Sequence, residues 1–405
     1  MRAVGVIVEY NPFHNGHAFH LERTIEEGEA DVVIAAMSGQ FLQRGEPALL
    51  PKWNRAHMAL KAGVDLVFEL PYQFATQKAE TFAKGAVSIL ASAGCESLCF
   101  GSESGDIYDF HQTIQFLDDS HDLYQEKIKY YMNEGYSYPK ATSTAFKDLS
   151  PSKEILDLSK PNNILGFHYI KAIRELNVPM KALTITRKNA DYHDEHFASE
   201  TIASATSIRK ALFSDGGDIE TVSQYVPQTT YDLLNDYYIH FKQFHQWEHY
   251  WSLLQYRILH SSPEELKEIY EVEEGIENRL LTVALQSNSF KDFMTKLKTK
   301  RYTWTRLQRM CVHILTNTKK EDMKKRMCKA TYLRLLGMTE KGRIYLNQRK
   351  KDIEIPIVSK LGSFDSPDIH LDIKASKIYA LGGIKVYQQN LINMEYNQPP
   401  IYIRK

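Results

Sequence analysis

The chain has 405 residues, of which 43% are hydrophobic and 25% charged. That length suits two or three domains, and that balance excludes a disordered or collagen-like chain. Fifty lysines and arginines equal fifty aspartates and glutamates, so attraction to a polyanion must come from how the charges are distributed. Four cysteines are too sparse for a disulfide framework, and no apolar run approaches the ~20 residues that span a bilayer. The opening apolar run ends at Glu9 and Asn11, too early for a secretory signal. A cytoplasmic location with no membrane and no stable protein partner is expected.

Residues 3–8, 32–37, 66–70, 97–100 and 183–186 are short apolar runs bounded by turn or polar residues, the pattern of strands buried on both faces. Helical patterns over 17–27, 54–62 and 81–93 end at Gly28, Gly63 and Gly94. The alternation predicts an α/β fold, a Rossmann-like doubly wound parallel sheet with its ligand beyond the carboxyl ends of the strands. A helical insertion over about 106–178 separates the fourth and fifth strands, tyrosine-rich at first and ending in a helix after Pro161. Beyond about 213 helical periodicity takes over, with Leu307, Met310, Cys311, Ile314 and Leu315 on one stripe. Some β character returns at 353–358 and 369–373. The division is a nucleotide-binding catalytic domain over 1–213 and a mainly α-helical, basic domain over 214–405. Cys95, Cys99, Cys311 and Cys328 read as buried thiols, and no metal-ligand set is expected.

The first strand runs into Glu9-Tyr-Asn-Pro-Phe-His14-Asn-Gly16-His17 and then directly into a helix. His14 and His17 are three apart and project to one side. A helix amino terminus offers free N–H groups and partial positive charge, and two imidazoles beside it can donate to polyphosphate oxygens. Gly16 leaves the backbone open to a nucleotide. The competing reading is one capping and one packed histidine. A second segment, Ser204-Ala-Thr206-Ser207-Ile-Arg209-Lys210, starts another helix with cap hydroxyls and a basic first turn, suited to the far phosphates.

These two segments resemble nucleotidyltransferases with an H-x-G-H signature and a later I-S-S-T-x-x-R-like signature. The first is matched in full, and the second has Ala203 and Ala205 where Ile and Ser are usual. A narrower resemblance covers nearly the whole chain. It rests on Gly5-Val-Ile-Val-Glu-Tyr-Asn-Pro-Phe-His-Asn-Gly-His17, Ala36-Met-Ser-Gly-Gln-Phe41, Gln43-Arg-Gly-Glu-Pro47, Phe68-Glu-Leu-Pro71, Phe100-Gly-Ser-Glu103 and Pro161-Asn-Asn-Ile-Leu-Gly166. Together these are similar to the bacterial tRNA(Met) cytidine acetate ligase family. The resemblance implies ATP and acetate as substrates, acetyl-adenylate as intermediate, and N4-acetylcytidine at the wobble position of elongator tRNA(Met) as product.

Carried over by motif, ATP is expected on the loop 7–20, which includes Ile7, Asn11, His14, Gly16, His17 and His20. Gly101, Asn162, Arg187, Ser204, Thr206 and Arg209 complete the expected site. His14, His17 and Arg209 carry the catalytic role, and magnesium comes with the triphosphate. Gly101 and Arg187 also end predicted strands, where this fold places ligands; Lys188 follows Arg187. For Gly101 a plain turn, and for Asn162 a helix cap, are equal alternatives. Acetate is anionic at neutral pH, so its attack on the α-phosphate needs no general base. For the acetyl-transfer step Glu9, Gln40 and Glu46 are polar candidates near predicted strand ends.

Residues 291–350 carry 18 lysines and arginines against four acids. Lys300, Arg301, Arg306, Lys324, Lys325 and Arg326 lie among Tyr302, Trp304 and Tyr332, a pattern that suits phosphate contact and base stacking by tRNA, although such a run is also what a solvated helix face looks like. The alternative function is an adenylyltransferase acting on a small phosphate ester such as a pantetheine or pyridine nucleotide, which leaves the basic half without a task. A third is an RNA-binding protein regulated by a nucleotide.

Overall fold

In the computed structural model, which describes residues 1–149, 156–187, 201–324 and 329–404, each apolar run of the first half is a strand. β1 (Ala3–Val8), β2 (Val32–Ser38), β3 (Leu66–Leu70), β4 (Ser97–Ser102) and β5 (Lys181–Thr186) lie parallel in the order β5-β4-β1-β2-β3. β2 and β3 are buried throughout, as a sheet covered on both faces requires. α1 (Asn15–Glu27) and α2 (Lys52–Ala62) supply Leu21, Trp53, Ala56 and Leu60 to one face, against Val6, Val33 and Val67. α3 (Tyr72–Ala75) and α4 (Ala79–Ser92) cover the other, against Ala3, Ile34 and Phe68.

The insertion between β4 and β5 is helical, as expected: α5 (Ile107–Asp119), α6 (His121–Asn133), α7 (Tyr138–Leu149) and α8 (Pro161–Glu175). α6 and α7 share a small core of Ile128, Ala141 and Ala145, while α8 lays Phe167, Tyr169 and Ile170 on the main core. α9 (Ala205–Leu212) follows β5, and helices then dominate: α10 (Gln228–Phe241), α11 (Trp251–His260), α12 (Pro263–Glu268), α13 (Ile276–Leu285), α14 (Phe290–Leu297), α15 (Trp304–Leu315) and α16 (Lys320–Lys324). The predicted stripe from Leu307 to Leu315 is buried, in a core shared with Phe41, Leu42, Ala48 and Tyr72 of the first half. Cys95, Cys99 and Cys311 are buried free thiols, and Cys328 lies outside the described residues.

The chain then departs from expectation. β6 (Leu333–Thr339) pairs antiparallel with β3, and after α17 (Glu340–Arg349) the short β7 (Ile357–Val358) and β8 (Ile401–Ile403) both extend the outer edge of β6. The carboxyl-terminal tail thus returns to the amino-terminal sheet and does not stay in a helical region beginning at 214. A charge inside the run, Arg334, hides the strand; the residue is 1% exposed because Glu395 on α19 (Lys385–Asn397) accepts it inside the core. The β character expected at 369–373 is instead a turn into α18 (His370–Leu381).

A buried charge cluster joins tail to core. Lys52 Nζ lies 2.9 and 2.7 Å from the two Glu69 oxygens and 2.7 Å from Glu395 Oε2. Nearby, Asp372 accepts the Tyr72 amide at 2.7 Å and the Tyr332 hydroxyl. No helix among the described residues is long and apolar enough to cross a membrane.

Candidate active site

Two histidines cap α1 and each other. His14 sits at the N-cap in an extended conformation; its Nδ1 accepts the Gly16 amide at 3.1 Å, and His17 Nδ1 accepts the His14 amide at 3.3 Å. This is a capping box made of imidazoles. The rings stack with centroids 3.7 Å apart. With both Nδ1 atoms accepting, each neutral ring carries its proton on Nε2, which is left to donate to a ligand. The capping and the ligand readings of the pair are therefore compatible, because they use different nitrogens.

Burial, then the charges of Arg187 and Arg209, lowers the His14 pKa to about 3. Burial, then His14, Arg187 and His20, holds His17 well below the usual imidazole range, and burial with Arg187 lowers His20 to about 4. The site thus presents neutral donors at the positive end of a helix. Gly16 has a role the motif did not suggest. A Cβ there would lie 3.0 Å from His14 Cε1, so the glycine admits the capping ring.

The second segment meets the first despite nearly 200 intervening residues. Arg209 Nη1 donates to the Asn11 carbonyl at 2.9 Å and Nη2 to Glu46 Oε2 at 2.7 Å. Asn15 Nδ2 donates to the carbonyls of Thr201 and Gln224, each at 2.9 Å, tying the start of α1 to the approach to α9. Ser204 is the N-cap of α9, and its Oγ is occupied by the Ser207 amide at 3.0 Å and the Ser207 hydroxyl at 2.6 Å. Thr206 is half-buried in the first turn of the same helix.

Gly101 and Arg187 end β4 and β5 beside this cluster. A Cβ on Gly101 would meet Arg187 Cγ at 3.2 Å and His20 Cδ2 at 3.6 Å, so the glycine lets both side chains pack close over the strand end. Lys188 lies outside the described residues. Ile7 faces the α4 and α8 side of β1. Asn162 lies at the start of α8, where Glu103 is the capping group: Glu103 Oε1 accepts the Asn162 amide at 3.2 Å and its Nδ2 at 2.7 Å, and Oε2 accepts the Asn163 amide at 2.7 Å. Among the described residues Asn11 Nδ2 and His20 Nε2 are buried without a hydrogen-bond partner, the condition that a polar ligand relieves.

The loop between β2 and α2 closes the other flank. Gln43 N donates to Glu9 Oε1 at 2.7 Å, and burial raises the Glu9 carboxyl above its usual range. Arg55, on the buried face of α2, donates to the carbonyls of Glu9 at 2.6 Å, Ser38 at 3.1 Å and Leu50 at 3.1 Å, and to that of Gly39. It pins the ends of β1 and β2, and burial lowers its pKa to about 10. Gly45, at φ +76°, packs against the backbone of Gln308 and Arg309 in α15, and Trp247 Nε1 donates to its carbonyl at 2.8 Å. Sequence reasoning gave Arg55 and Glu103 no role. The available signal for Arg55 was a lone charge between Trp53, Ala56 and Ala59.

The basic stretch is differently arranged from its sequence pattern. Tyr302, Tyr332 and Tyr345 are core residues, and among the interleaved aromatics Trp304 is the exposed one. Arg301 pairs with Glu274 at 2.7 Å, Arg306 with Glu273 at 3.2 Å and Arg309 with Glu271 at 2.9 Å. Lys300 and Lys324 are exposed, and Lys325 and Arg326 lie outside the described residues. Three acids of an upstream segment thus pair with three of the eighteen basic residues of the run.

A family model described as HIGH Nucleotidyl Transferase matches residues 1–393. The chain is 49% identical over 407 residues to the tRNA(Met) cytidine acetate ligase of Halalkalibacterium halodurans, covering 100% of this chain and 98% of that one. It is 48% identical over 405 residues to the protein of the same name from Bacillus subtilis, covering 99% and 97%. Among solved structures, Thermotoga maritima TmcAL superposes over the full length of both chains, at 34% identity and TM-score 0.92 in its apo form. The form bound with alpha-thio ATP does so at 33% identity and TM-score 0.90. With its paired imidazoles at the start of α1 and relatives matched from end to end, the chain belongs to the tRNA(Met) cytidine acetate ligase family of HIGH nucleotidyl transferases.

Proposed function

We propose that this protein activates acetate with ATP, forming acetyl-adenylate and pyrophosphate, and transfers the acetyl group to N4 of the wobble cytidine of elongator tRNA(Met). The observation that carries the reading is the meeting of the His14–His17 pair with Arg209 through the Asn11 carbonyl. A relative holding alpha-thio ATP supports ATP as the nucleotide, and the names of the relatives support acetate and tRNA(Met) as the other substrates.

In the first step an acetate oxygen bonds to the α-phosphorus and the bond to the bridging pyrophosphate oxygen breaks. The two Nε2–H groups, the start of α1, Arg187 and Arg209 offset charge on the phosphoryl oxygens. Magnesium is read as arriving on the phosphate oxygens of the triphosphate, on charge grounds. In the second step the cytosine amine attacks the acetyl carbon and AMP leaves. Holding the two together supplies much of the rate, because the amine lone pair is delocalised into the ring.

Exchange of labelled pyrophosphate into ATP tests the reading. Exchange that requires acetate is expected. Exchange that ignores acetate and requires a phosphate ester would overturn it in favour of a small-molecule adenylyltransferase.

A further inference from the structure

Acetyl transfer releases a proton that the first step does not, and the site must hold an acceptor for it. When the amine nitrogen bonds to the acetyl carbon, the bond from that carbon to the AMP oxygen breaks, and one N4 hydrogen must leave as a proton. The histidines are poorly placed for this. His14 and His17 each use Nδ1 as a backbone acceptor and carry their proton on Nε2. Glu46 is committed to Arg209 at 2.7 Å.

Glu9 differs from all of these. It follows the carboxyl end of β1, five residues before His14, and continues the row of Ile7 toward α4 and α8. Its Oε1 is fixed by the Gln43 amide at 2.7 Å and the Ser38 hydroxyl at 3.5 Å. Its Oε2 has no hydrogen-bond partner among the described residues, and the side chain is half-buried. One oxygen is anchored and the other is left unpartnered among the described residues, at the ligand end of the sheet.

Resting on the proposed function, we infer that Glu9 is the general base of the acetyl-transfer step, taking the N4 proton on Oε2 as AMP departs. The charged and titratable groups facing it are Arg44 and Glu46 of the β2–α2 loop, Arg55 of α2 and Tyr169 of α8. Burial is the dominant influence, and it raises the carboxyl toward the range where a base is effective near neutral pH. The sign follows directly. Only the carboxylate accepts, so transfer slows as the pH falls through the Glu9 pKa, and adenylate formation has no such dependence.

The test measures two rates on the same protein: acetate-dependent pyrophosphate exchange, and single-turnover transfer from acetyl-adenylate to a tRNA(Met) transcript. Glu9→Gln keeps an oxygen for the Gln43 amide. Exchange within about twofold of wild type and transfer reduced roughly 100-fold or more are expected, with the acid limb of the transfer profile gone. Glu9→Asp should retain part of the transfer rate. Unimpaired transfer in Glu9→Gln, or a parallel loss of exchange and transfer, overturns the assignment. Should the variant unfold on heating far below the wild type, the wild-type profiles decide: an acid limb in transfer at higher pH than the one acetate protonation gives exchange supports Glu9, and identical profiles refute it. A wild type without acetate-dependent exchange removes the proposed function as well.

Discussion

Because His14 and His17 each spend Nδ1 on a backbone amide, protonating either ring breaks a cap and places charge beside Arg187 and Arg209. Removing one ring removes an Nε2–H donor as well, and His17→Ala should lower pyrophosphate exchange roughly 100-fold or more. Its affinity for tRNA, measured by filter binding, should stay within about twofold; a comparable loss of both would contradict the division of labour. The same rings make the fold acid-sensitive. Unfolded imidazoles bind a proton near pH 6.5, whereas His14 waits until about 3 and His20 until about 4. Between those values the unfolded chain holds more protons, so stability declines as the pH drops below about 6.5. The thermal midpoint at pH 5 should lie below that at pH 7, with a smaller difference in His14→Gln. The motif residues were legible because strand, turn and helix start are local. Glu103 was not, since its capping of α8 spans 59 residues.

Elements show the same contrast between local and distant information. The predicted boundaries of β1 to β4 fall within two residues of the observed ones, because each run is apolar and bounded by turn residues. β6 escaped because Arg334 and Gly337 interrupt it, and only Glu395, 61 residues later, makes a buried arginine tolerable there. At 369–373 the alternation of Ile369, Leu371 and Ile373 imitates a strand, while Leu371, Ala375 and Tyr379 form the buried face of α18. A window of basic residues likewise cannot reveal that Glu271, Glu273 and Glu274 fold back on α15 and its approach. Lys300 and Lys324, both exposed, are the phosphate contacts proposed for tRNA. Lys300→Glu with Lys324→Glu should weaken tRNA binding and reduce the steepness of its salt dependence by about two, with exchange unchanged. An unchanged salt dependence would place the RNA elsewhere.

For the whole molecule the decisive bonds run between the two ends of the chain. Lys52 holds Glu69 of β3 and Glu395 of α19 in the core at once. Lys52→Met leaves buried Glu69 without its cation and Glu395 with Arg334 alone at 3.9 Å, and should cost about 3–5 kcal/mol in urea unfolding. A loss below about 1 kcal/mol would mean that the carboxylates are already protonated in the wild type. Among the contacts that join the helical half to the nucleotide half is that of Gly45 with α15. Gly45 rests on the α15 backbone with no room for a methyl group, and its neighbour Glu46 grips Arg209. A side chain placed at Gly45 therefore has to push α15 away or shift the loop that carries Glu46, and with it the grip on Arg209.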